Sequence, residues 1–468
     1  MGLSQTRTGV FIDREFYNKL LKLGIPVVIQ NFISSFLNMI DTVMIGKLGE
    51  VEIAGVGLAN QVFFLFNFFL FGTYTGANIF IAQFWGEKDT KNIRRILGVA
   101  LFTGISISLI FSLVSIIFPQ FVLSIFTSDS QVIIAGGQYL RVVAVSYIIT
   151  AITFCFAFSL RCTGDVMLPV IINIITLLVN TTLNYLLIYG HYGFPRLAVR
   201  GAALATVIAR IVEMVLLLFI IYRKQLVAAA KISELTDFNL NFIRKFFQTT
   251  IPVIINETLW ALGFTMFTLI YARMGTDVIA GINIFKTIEG LGMVLFYGLA
   301  QACAVTVGNK IGAGEEDQAR LYARRYSIIS PLIAVVIGVI ILALANPILS
   351  IYKVSDEVLE IARLTIIAFA FILPIRVFNL INIVGILRSG GDTKFSLLLD
   401  TGALWFIAVP LSFIAGLIWH LPPHIVYLVS SIEGIVKVFI GVGRLVSGKW
   451  LNNLTQNIKT TMETQPRT

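Results

Sequence analysis

Charge is scarce in this sequence. Only 13% of its 468 residues are Asp, Glu, Lys or Arg, about half the ~25% of a soluble domain. A water-soluble chain of this length needs the missing polar surface, so lipid is the solvent for most of it. Cysteine is as rare. Cys155, Cys162 and Cys303 are the three, and they form neither a metal-ligand spacing nor a disulfide framework. The three histidines, His191, His420 and His424, fall in or beside outer loops with no acid-rich or His-Glu cluster, which argues against an intramembrane enzyme. Alternating segments of about ten residues are missing too, which excludes a transmembrane barrel. The first 23 residues show no apolar core followed by a small-residue cleavage site, so insertion is expected to begin with the first span.

What is present is long apolar sequence. Hydrophobic residues make up 57% of the chain, in runs such as 99–118, 328–344 and 403–418, each near the ~20 residues of a spanning helix. The pattern predicts twelve spans between residues 20 and 446, the fourth at 133–160. The net charge of +10 sorts by side. With both termini cytoplasmic, about 24 of the 35 Lys and Arg fall inside and about five outside. The basic balance is therefore a topology signal and not a nucleic-acid footprint.

The chain repeats itself. At an offset of 226 residues, Ile25-Pro26-Val27 meets Ile251-Pro252-Val253, Ile53-Ala54-Gly55 meets Ile279-Ala280-Gly281, Gly86 meets Gly312, and Arg94 meets Arg320. One residue further, Leu160-Arg161-Cys162-Thr163-Gly164-Asp165 meets Leu387-Arg388-Ser389-Gly390-Gly391-Asp392. Six helices per half give both halves the same topology, as parallel repeats about an axis along the membrane normal. The expected fold is an all-α membrane protein, twelve transmembrane helices in two parallel-repeat six-helix bundles around a central cavity. Its expected parts are an N-terminal bundle (1–222), a polar, hinge-like cytoplasmic linker (223–245), a C-terminal bundle (246–450) and a cytoplasmic tail (451–468).

Ionisable residues inside spans cost about 2.5–3.5 kcal/mol and each needs a reason. Asp41, in the first helix, faces Phe267 in the repeat and so is no part of the shared scaffold. Asn180 and Asn184 stand one turn apart on the fifth helix. Together these three make a plausible cage for a proton or a hard cation such as Na⁺; the bland alternative is a hydrogen bond that holds the bundle. Glu257, whose counterpart is Asn31, sits near mid-span, either as a second functional carboxylate or in a salt bridge with Arg376. Lys286 with Glu289, Arg210 with Glu213, and Glu433 with Lys437 are spaced to neutralise one another along one helix. Asp400 lies near the end of its span and is open to either reading. The Arg-x-x-Gly-Asp loops suit turns in which Asp caps the next helix.

With the repeat, the twelve helices and the paired loops in view, the chain resembles the multidrug and toxic compound extrusion (MATE) family. The likeness runs from Lys19 to about Trp450 and rests on Asp41, on Gly86 with Arg94, on Asn180 and Asn184 before Tyr185–Gly190, and on Gly312-Ala313-Gly314 with Arg320. The resemblance implies a secondary transporter of the plasma membrane, not an enzyme. It implies export of amphipathic, often cationic organic compounds in exchange for Na⁺ or H⁺, with ion sites at Asp41 and at Glu257. No cofactor beyond the coupling ion is expected, and the expected partners are a small organic substrate and lipid around a monomer. Two departures matter. One branch of the family has an aspartate at the position of Asn184, and the norfloxacin-exporter branch pairs the seventh-helix glutamate with a tenth-helix aspartate where this chain reads Pro374-Ile375-Arg376-Val377. A flippase or exporter for a lipid-linked or polar metabolite of the wider superfamily is the alternative.

Overall fold

The computed structural model describes residues 14–456, and among them there is helix and irregular chain but no strand. The termini expected in the cytoplasm, 1–13 and 457–468, lie outside the described residues. Eleven helices are long and apolar enough to cross a membrane, and a bent pair makes a twelfth. They are α1 (Arg14–Gly46), α2 (Glu50–Gly86), α3 (Thr90–Ile117), α4 (Ser130–Val143 with Ser146–Cys162), α5 (Met167–Tyr189), α6 (Ala198–Arg223), α7 (Leu240–Met274), α8 (Thr276–Gly312), α9 (Glu316–Leu349), α10 (Asp356–Leu387), α11 (Thr393–Ile418) and α12 (Pro423–Ser447). Large apolar side chains such as Phe102, Phe406 and Phe439 stand outside, as lipid-facing surface requires.

The fourth span is broken where one continuous helix is expected. Its halves meet at 50° without a proline. The carbonyls released there are met by hydroxyls: Ser112 Oγ donates to Ala144 O at 2.8 Å and Ser146 Oγ to Val143 O at 2.6 Å. A helix can bend inside lipid when side chains satisfy the freed backbone in this way.

The chain divides into two compact units. One, here the amino-terminal unit, comprises Ile29–Ile81 and Asp89–Thr250; the other, the carboxy-terminal unit, comprises Met1–Val28, Ala82–Lys88 and Ile251–Thr468. In the amino-terminal unit Phe66 stacks on Tyr147 at 4.8 Å and Tyr74 donates its hydroxyl to Ala151 O. The segment after α6 belongs to this unit and is docked rather than slack. Ala228, Ala229 and Ala230 are buried, and a one-turn helix at Ile232–Leu235 brings Glu234 to Arg94 (2.6 Å) and Asp237 to Arg95. A side chain at Gly98 would overlap the Leu235 carbonyl, so only glycine lets α3 and this segment approach so closely.

In the carboxy-terminal unit the core gathers Phe285, Phe296, Phe369 and Tyr427. Here the repeat-related glycines do reciprocal work. A Cβ on Gly86 would strike Asn309 O, and one on Gly312 would strike Gln83 O, each glycine opposing the residue three before its counterpart. Reciprocal contact is what a two-fold-related pair of surfaces produces. A strap after α12 closes over this crossing. Trp450 is buried on Gly390, and fully buried Gln83 donates to Ser389 O and Asn452 O while its Oε1 accepts from Leu454 N at 2.8 Å.

Candidate functional site

The structure brings Asp41, Asn180 and Asn184 together. α5 presents Asn180, Thr181 and Asn184 on one side because residues three and four apart share a helix face. Asn184 Nδ2 donates to Asp41 Oδ1 at 3.0 Å and Thr181 Oγ1 donates to the same oxygen at 3.3 Å. Asn184 Nδ2 also reaches Asn180 Oδ1 at 3.3 Å, and Asn180 Nδ2 reaches Thr206 Oγ1 on α6 at 3.4 Å. Tyr139 of α4 is buried beside Thr206. Four helices of the amino-terminal unit thus converge on one carboxylate. Asn184 and Thr181 are neutral donors, so they orient the Asp41 carboxylate without themselves cancelling its charge. Such an oxygen-rich cluster suits a proton or a hard cation. Thr181, Thr206 and Tyr139 escaped sequence reasoning. Thr181 was adjacent to a flagged residue and on the same helix, whereas nothing local marks the other two.

The other candidate carboxylates inside spans are each matched to a base, and not always as expected. Arg210 donates to Glu213 at 2.6 Å on α6, the i,i+3 pair the spacing predicts. Lys437 binds Glu433, again as predicted, but also Asp400 Oδ1 at 2.9 Å. Asp400 Oδ2 accepts from Asn256 at 3.0 Å, so this aspartate is a member of a three-helix polar cluster.

Three expectations are corrected. Glu257 pairs with Arg388, at 2.5 Å with both side chains almost wholly buried, and not with Arg376. The two arginines stand twelve residues apart on one helix, about 18 Å by the 1.5 Å rise, so one carboxylate cannot meet both. The π-turn at Ile381–Leu387 also resets the face on which Arg388 emerges. Arg376 instead binds Glu289 and, at 3.1 Å, the Tyr427 hydroxyl. Consequently Lys286 does not neutralise Glu289; its Nζ donates to Thr268 Oγ1 at 2.8 Å. Asp392 does not cap the following helix either, since its carboxylate accepts from Arg444 at 2.7 and 3.1 Å. Asp165, its repeat partner, does cap, accepting from Leu168 N.

Known proteins share this fold. The model of the family described as MatE matches residues 26–186 and 252–414, one stretch in each repeat. A probable multidrug resistance protein NorM of Thermotoga maritima is 26% identical over 444 residues, covering 93% of each chain. An uncharacterized transporter, YisQ of Bacillus subtilis, is 24% identical over 86% of this chain and 88% of its own. Among solved structures, the Vibrio cholerae MATE transporter VcmN in its bent form superposes with a TM-score of 0.84 at 18% identity, over 94% of this chain and 99% of that one. With both repeats matched and the fold shared almost from end to end, the chain belongs to the MATE family and is a multi-pass membrane transporter, not an enzyme.

Proposed function

We propose that the protein exports amphipathic, chiefly cationic organic compounds across the plasma membrane in exchange for Na⁺ or H⁺, by alternating access as a monomer with both termini cytoplasmic. Multidrug resistance in the name of the Thermotoga relative supports the substrate class. The observation that carries the coupling is the Asp41 cluster, in which an acid inside a span is held by neutral amide and hydroxyl donors from α5. An ion or proton bound there favours whichever conformation binds it better, by no more than its differential affinity. Cargo and ion then exchange if both compete for the wall that Asp41 shapes. Glu257 is held by Arg388, so it serves this unit as half of a structural pair in this reading.

The test is efflux from reconstituted vesicles under separate Na⁺ and proton gradients. Asp41→Asn keeps the shape and removes the charge, and is expected to abolish gradient-driven efflux with expression intact. Asn180→Ala and Asn184→Ala are expected to raise the ion concentration for half-maximal transport. Efflux by Asp41→Asn at the unmodified rate sinks the assignment and passes the coupling role to Glu257.

A further inference from the structure

Lys286 lies ten residues into the 37-residue α8, about 15 Å from its start, within a membrane-spanning helix. The carboxylate one turn away, Glu289, is taken by Arg376. Lys286 itself holds the Thr268 hydroxyl and lies over the Phe264 ring, 4.6 Å from its centroid. Neither the hydroxyl nor the ring carries a full negative charge, and Glu289 acts on the ammonium only from beyond ion-pair distance.

The surroundings are polar and open. Along α8, Asn283, Thr287 and Gly290 are exposed and Lys286 is half-exposed, a row at helical spacing. Lipid-facing rows are apolar, and polar ones inside a span face water or a ligand. Beside it on α7 runs a second row, Trp260, Phe264 and Thr268, all half-exposed. The Trp260 and Phe264 rings lie 5.6 Å apart and within 17° of parallel. Trp405 of α11 donates its indole N–H to Leu259 O, and with Trp260 it packs on Leu404, Ala408 and Val409. The flat aromatic faces are thereby held in place rather than free to collapse over the lysine.

We propose that Lys286 and Thr268, with the Trp260–Phe264 shelf, form a recognition site for aromatic substrates bearing a carboxylate, zwitterions among them. The ammonium takes the carboxylate through charge-assisted hydrogen bonds, the Thr268 hydroxyl, which donates to Phe264 O at 3.2 Å, accepts from the ammonium and aims it, and the paired rings take the aromatic body. A lipid headgroup offers no aromatic body for the Trp260–Phe264 shelf. Such a substrate class rests on the export reading above and extends it from cations to aromatic carboxylates.

Equilibrium binding to the full chain in phosphatidylcholine nanodiscs, measured by calorimetry with no gradient, tests the site separately from coupling at Asp41. The probes are 1-naphthoate, 1-naphthamide with the same rings but no charge, and tetraphenylphosphonium as an aromatic cation. Naphthoate is expected to bind at least tenfold more tightly than naphthamide. Lys286→Gln should erase that advantage with tetraphenylphosphonium binding unreduced, Lys286→Arg should keep most of it, and Trp260→Leu should weaken both naphthyl probes alike. No preference for naphthoate in the unmodified protein, or a preference that survives Lys286→Gln, overturns the assignment. The unmodified comparison decides even if the glutamine variant does not fold.

Discussion

Glu257 and Arg388 are 131 residues apart, and Glu289 and Arg376 are 87 apart. Distances of that order explain what could be read at the scale of single residues. Pairs on one helix, Arg210–Glu213 and Glu433–Lys437, were legible because helix geometry alone brings them together. So was the Asp41 neighbourhood, because an acid in lipid needs partners and a double-amide face is conspicuous. Partners chosen by depth between distant helices left no local mark, and Arg388 looked like part of a turn. The pairing has a measurable consequence. Glu257→Gln or Arg388→Met alone leaves an uncompensated buried charge and should cost about 3–5 kcal/mol, read as a fall in thermal midpoint of the purified protein. Removing both charges should restore most of it, whereas Glu257→Gln with Arg376→Met should lose more than either change alone. Recovery by the Arg376 double variant would mean that the pairing is wrong.

At the scale of elements, all twelve spans could be read from apolar length alone, but the bend in α4 could not. Its bend has no proline or glycine at the break and rests on Ser112, a hydroxyl contributed by another helix. The segment between the repeats was read as a hinge from its polarity, yet it is bound to the first turns of α3. Glu234 explains part of that binding. The backbone N–H of Lys231 and the Arg94 guanidinium, in that order, hold its carboxyl below the ordinary glutamate value. The native state therefore releases this proton more readily than the unfolded chain does. The stabilisation is fully present above the unfolded value of about 4.3 and is lost as pH falls through the lower folded value. Protease cleavage within 227–239 should accordingly be slow at pH 7 and accelerate only below about pH 4, while Glu234→Gln should be cleaved faster even at pH 7. Gly98→Ala, which drives a methyl into the Leu235 carbonyl, should release the same segment at every pH. Equal cleavage of all three proteins would show that the segment is not held by these contacts.

For the whole molecule, the repeat was the strongest statement the sequence made, and the reciprocal crossing of Gly86 and Gly312 is its physical counterpart. The strap at 450–456 was not legible, because backbone carbonyls with Gln83 and Glu87 from the end of α2 hold it. Gln83→Leu would orphan the Leu454 N–H and two carbonyls, at about 1–3 kcal/mol for each group left buried, and should lower the thermal midpoint well beyond a surface change. An unchanged midpoint would show the strap to be ornamental. Its place in the chain also sets a clock. Gln83 and Leu454 are 371 residues apart, and at roughly 5–20 residues per second the ribosome needs roughly 20–75 s to supply the second after the first. Throughout that interval the glutamine amide must be satisfied by water or lipid, and the end of α2 has no finished seat. The amino-terminal unit can settle while synthesis continues, but the other must wait, so a premature stop anywhere before the strap strands a nearly complete membrane protein in a form that quality control can recognise.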